Sequence, residues 1–143
     1  MSIYGNFLNE AYILESADIS TIKKEYGRIM GHLLKLEYIK PQLTGWIGSI
    51  ASAASNINKA WKSKYRNEID NNFMQEAYEI GLNSHAQKDN PNTVFPATIP
   101  SIYNSYENLK DYKWLANYLM NIVDEDLKET VRKSSILGPY VKN

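Results

Sequence analysis

The chain has no cysteine, which excludes disulfides, thiolate zinc sites and cysteine nucleophiles. It has only two histidines, His32 and His85, with no Glu-x-x-His or His-x-x-x-His pair. A zinc site needs three or four convergent ligands, so no metal is expected, nor any other cofactor. A Gly-rich phosphate loop is also missing. No apolar run approaches the roughly 20 residues of a membrane helix; the nearest candidate, Ile47 to Ile57, is mostly Ala, Ser and Gly. The first residues lack the basic patch, apolar core and cleavage site of a secretory signal, and the expected address is the cytoplasm, with no membrane partner. Glycine and proline are sparse, 7 and 5 in 143 residues, which excludes a low-complexity or collagen-like chain.

What remains is the composition of an ordinary globular protein, 43% apolar and 22% charged. At this length one domain is expected, burying roughly 70% of its unfolded surface. The net charge is zero but unevenly spread. Met1 to Ile19 holds three acids and no Lys or Arg, Ser20 to Arg66 nine bases against two acids, and Asn67 onward seven against eleven, giving −3, +7 and −4. Acidic outer helices packed around a basic central pair would produce this pattern; so would a nucleic-acid surface.

The chain is organised around the segment from Ile19 to Ile39. At 3.6 residues per turn, Ile19, Ile22, Tyr26, Ile29, Met30, Leu33 and Leu36 form a core-facing stripe. Gly27, Gly31, Leu34 and Tyr38 fall on the other side. Two glycines in mid-helix cost about 1 kcal/mol each relative to Ala, so a neighbour should approach closely there. Asp18 or Ser20 supplies the N-cap, and Pro41 ends the helix, with Lys40 its expected last residue. Between the two contact faces runs a polar strip of Glu25, Arg28, His32 and Lys35.

The run His32-Leu33-Leu34-Lys35, then Tyr38, Pro41 and Trp46, resembles the signature of the bacterial domain of unknown function 29 family. Ala77-Tyr78, Phe95-Pro96 and Pro100 resemble its later landmarks in the same order. The resemblance covers roughly residues 21–110, leaving 111–143 as a C-terminal helical extension. Leu36 stands where the family usually has Trp, and Gln42-Leu43-Thr44-Gly45 where it is Arg-rich. The resemblance implies an all-helical fold and no established activity.

A long helix is expected near 43–66, with Leu43, Trp46, Ile47, Ile50, Ala54, Ile57, Trp61 and Tyr65 on one stripe. Its thin middle, Gly48 to Ser55, is the expected neighbour of the Gly27/Gly31 face. Asp70 or Asn71 caps a fourth helix carrying Phe73, Ala77, Ile80 and Ser84. Gln87 to Pro100 reads as a loop pinned by Phe95. Ser101 then caps a short helix with Ile102, Tyr106 and Leu109 inward. Asp111 to Val123 forms another helix, and a last one follows Asp124-Glu125-Asp126 and ends before Gly138-Pro139. With a first helix after Gly5, the expected fold is an all-α single-domain bundle of about five to seven helices.

The candidate binding residues are Glu25, Arg28, His32, Lys35 and Trp46. One imidazole without a nucleophile or second carboxylate beside it does not make a catalytic set, so no catalytic residue is assigned and the protein is not expected to be an enzyme. A structural His32 and Lys35 would be tied to the loop at Phe95 to Pro100 or to the turn at Pro41, whose backbone groups need partners. Lys59, Lys62 and Arg66 are the candidate nucleic-acid residues. On a continuous helix they lie opposite Trp61 and Tyr65, which prevents rings and charges from gripping one strand together. The abundance of aromatics, eleven Tyr and three Trp, favours an interaction or accessory protein with a protein partner or a second copy.

Overall fold

Asp18 opens the first helix of the computed structural model, which describes residues 18–142. Its carboxylate accepts from the Thr21 amide at 3.1 Å and starts α1 (Ile19–Tyr38). The helix expected after Gly5 lies outside the described residues. Helix α1 ends two residues before Lys40, because Ile39 is already extended. The buried side chain of Gln42 takes over there, donating to the carbonyls of Leu36 at 2.8 Å and Ile122 at 3.0 Å. Its oxygen accepts from the Asp124 amide at 2.8 Å.

Helix α2 (Thr44–Ala60) returns alongside α1, burying Ile47, Ile50, Ala53, Ala54 and Ile57 against it. It stops at Ala60, short of the expected Arg66, because Trp61 turns extended. The Trp61 ring lies parallel to that of Tyr106, centroids 5.8 Å apart, and Lys110 sits 4.6 Å from its centre. A 3-10 turn, Ser63–Asn67, follows and buries Tyr65. Partners distant in sequence thus end a helix that local periodicity would continue.

Asp70 caps α3 (Asn71–Gly81), accepting from the Phe73 amide at 2.8 Å. Phe73, Met74, Ala77, Tyr78 and Gly81 are buried, whereas Ile80 is half-buried and Ser84 exposed. The expected stripe is therefore rotated, and the reason is the crossing with α1. A Cβ on Gly27 would lie 2.6 Å from the Ala77 carbonyl oxygen, and one on Gly31 would lie 2.6 Å from that of Gly81. The glycine face of α1 receives α3, not the thin middle of α2, where a Cβ on Gly48 would meet nothing within 4 Å. Backbone-to-backbone approach is what the mid-helix glycines permit. Past Gly81 the chain continues through a π-helical turn, Leu82–Ala86, and one last α-turn, Gln87–Asp89.

The loop to Pro100 is pinned as expected. Phe95 is buried, Tyr78 donates to the Pro96 carbonyl at 2.5 Å, and Gln75 bonds the backbone of Ala97 and Ile99. The short helix after it is split. Ser101–Tyr103 is a 3-10 turn, and Ser105 caps α4 (Tyr106–Leu109). Tyr103 is buried where Ile102 was expected inward. Helices α5 (Tyr112–Ile122) and α6 (Glu125–Lys133) follow, then a 3-10 turn at Gly138–Tyr140. The fold is all-helical, and the described residues contain no strand. No helix among them is long and apolar enough to cross a membrane.

Candidate functional site

The polar strip of α1 comes together with the two turns that follow α3. The Arg28 carbonyl lies 2.8 Å from His32 Nδ1; a carbonyl only accepts, so Nδ1 carries the proton. His85, in the π-helical turn, brings its ring to 5.0 Å from that of His32. Burial pushes His32 down to about 4, with Lys35, His85 and Arg28 acting in the same direction. His85 is lowered too, first by burial and then by Lys35 and Arg28. Both rings are therefore neutral at neutral pH.

Lys35 is 6% exposed. Its ammonium pairs with Asp89 at 3.0 Å and sits 5.7 Å from the ring centre of Trp46. The lysine hydrogen bond holds the Asp89 carboxyl below its usual range. Glu25 accepts from Arg28 at 3.5 Å and from Asn56 at 3.2 Å. All five candidate binding residues thus lie in one region, but His32 is tied to α1 itself and Lys35 to the α-turn that follows α3. Neither reaches the loop at Phe95 to Pro100 nor the turn at Pro41, because the glycine crossing draws α3 against this face instead. No group of three or more metal-ligating side chains occurs among the described residues.

A second constellation, which the residue pattern does not announce, surrounds Glu37 at the C-terminal end of α1. Tyr103 donates to Glu37 Oε2 and Tyr118 to Oε1, the latter at 2.7 Å. Burial and the adjacent carboxylate push both phenols upward, so both stay protonated donors. The Tyr118 ring stacks on Trp114 at 4.9 Å, and Tyr38 meets Phe95 edge-on at 5.6 Å. The one signal available in the sequence was a carboxylate in the last turn of a helix, where the dipole disfavours it.

The charge blocks partly neutralise each other. Lys23 pairs with Glu76, Lys35 with Asp89 and Lys40 with Asp124, in each case a base of the middle block with an acid of the last. Lys59, Lys62, Lys64 and Arg66 are exposed, and none has an ion pair among the described residues. Because α2 stops at Ala60, Arg66 now lines one cleft of about 690 Å³ together with Trp61, Tyr106, Lys110 and Tyr140. The expectation that the rings and charges of this stretch stay apart fails for Arg66. Lys59 and Lys62 do not line the cleft.

These helices define an all-α protein built on a glycine-mediated crossing. Residues 4–115 match the family described as Domain of unknown function DUF29, and the chain belongs to that family. No curated protein matches the chain, and no solved structure does.

Proposed function

We propose that this is a cytoplasmic interaction or accessory protein that self-associates and has no catalytic activity of its own. The observation that carries this reading is the concentration of exposed apolar side chains at one end of α1. Tyr38 is 48% exposed, Leu43 52%, Val94 89% and Ile102 48%. Tyr38 contacts Phe95, the neighbour of Val94, and Tyr103, the neighbour of Ile102, reaches Glu37. Leu43 follows the turn that ends α1 and precedes the first residue of α2. Large apolar side chains left exposed among polar ones favour a protein interface. In the polar strip, by contrast, Lys35 and Glu25 hold α1 to its neighbours, and Arg28 and His32 bond within α1. Sedimentation velocity at micromolar concentration tests the reading: a second copy should cover this end, and Tyr38→Ser with Leu43→Ser should shift the chain to monomer. A clean monomer with no partner in a pull-down counts against it.

A second reading, a nucleic-acid-associated regulator, is favoured by Lys59, Lys62 and Arg66, which no acid pairs among the described residues, and by the cleft that joins Arg66 to Trp61. Retention on heparin and single-stranded DNA should then fall steeply with salt. Changing Lys59, Lys62 and Arg66 to Ala should flatten the slope by about one for each phosphate that is no longer neutralised. No retention at low salt ends this reading.

A further inference from the structure

Glu37 has an exposed carboxylate in the last turn of α1, against the helix dipole. No ion pair among the described residues neutralises it; nearby Lys40 pairs with Asp124 instead, at 2.9 Å. Each of its oxygens is held by a different phenol. Tyr103 is 1% exposed, and Tyr118 is backed by the Trp114 ring at an interplanar angle of 8°, so the carboxylate is clamped on a packed aromatic support. An ionised carboxylate has about four lone-pair sites, and two donors leave acceptor capacity on both oxygens.

We propose that Glu37 is the binding site for an arginine side chain presented by a protein partner. The guanidinium fork donates one N–H to each oxygen in a common plane, the bidentate geometry for which arginine is suited and lysine is not. Leu43, Val94 and Ile102 take the apolar residues flanking the arginine. The inference rests on the interaction reading above and gives that surface its polar anchor.

The test is a titration of the full chain, followed by NMR, with N-acetyl-arginine amide, N-acetyl-lysine amide and an acetylated, amidated Leu-Arg-Leu tripeptide. The arginine amide should saturate at or below about 10 mM, the lysine amide should bind more weakly, and the tripeptide more tightly than either. Glu37→Gln should weaken the tripeptide by about tenfold or more, the loss of a charge-assisted pair. If that variant does not fold, Tyr118→Phe, which releases one oxygen of the clamp, should still weaken binding severalfold. No saturation, equal binding of lysine, or unchanged affinity in the variants overturns the site. A tripeptide no tighter than the amide reassigns it to a small guanidino compound and overturns the protein partner. Sedimentation of the same samples separates the two ideas. A self-associated chain that binds no arginine loses this inference alone, and a monomer that binds the tripeptide loses self-association alone.

Discussion

The rings of His32 and His85 lie 5.0 Å apart where α1 meets the π-helical turn after α3, and both are held below their ordinary titration range. Two neutral imidazoles beside Lys35 and Arg28 make this contact sensitive to acid. In the unfolded chain His32 takes up its proton near 6.5, whereas in the folded protein it does so only near 4. The unfolded state binds more protons between those values, so the contribution of His32 is fully present above about 6.5 and is lost as pH falls toward 4. His85 acts in the same direction. The melting midpoint should drop across this window and drop less in His32→Gln. A midpoint that stays level from pH 7 to pH 4 would remove the linkage.

His32 is also predicted to matter for stability at neutral pH. Replacing it with Ala deletes a buried ring and its bond to Arg28, with an expected loss of about 1 to 3 kcal/mol. Chemical denaturation reads this directly. An unchanged transition would mean that the histidine is kept for a ligand and not for packing.

The two kinds of glycine in this chain should respond oppositely to a methyl group. Gly31→Ala drives a Cβ into the backbone of Gly81 and should cost about 3 kcal/mol or more, since neither helix can yield without separating. Gly48→Ala meets open space in mid-helix and should stabilise by about 0.5 to 1 kcal/mol. Thermal melts of the pair decide whether the glycine face of α1 receives α3. Equal effects would refute that packing.

Gln42 joins the end of α1 to the end of α5 and the start of α6 through three hydrogen bonds. Gln42→Leu keeps the bulk but leaves buried backbone groups unpaired, and a loss of about 1 to 3 kcal/mol is expected. Hydrogen exchange at the Asp124 amide should rise in the variant. Protection equal to the parent would show that the bond does not matter.

Much of the fold was legible because amphipathic periodicity and caps are local. The stripe from Ile22 to Leu36, the carboxylates of Asp18, Asp70 and Asp111 at helix starts and the prolines after Phe95 each act within a few residues of themselves. The polar strip was legible too, because spacing of three and four places Glu25, Arg28, His32 and Lys35 on one side of a helix whatever surrounds it. Local pattern was therefore enough for an all-helical chain with a central helix and a marked line of polar side chains. Which helix meets the glycines was decided by tertiary structure alone, since Gly27 and Gly31 announce a close neighbour without naming it, and Gly81 fits them better than the thin middle of α2. The same holds for the end of α2, where the ring of Tyr106 and the ammonium of Lys110 draw Trp61 out of the helix. It holds again for Glu37, whose two phenol partners lie far along the chain and meet it only once α4 and α5 have packed.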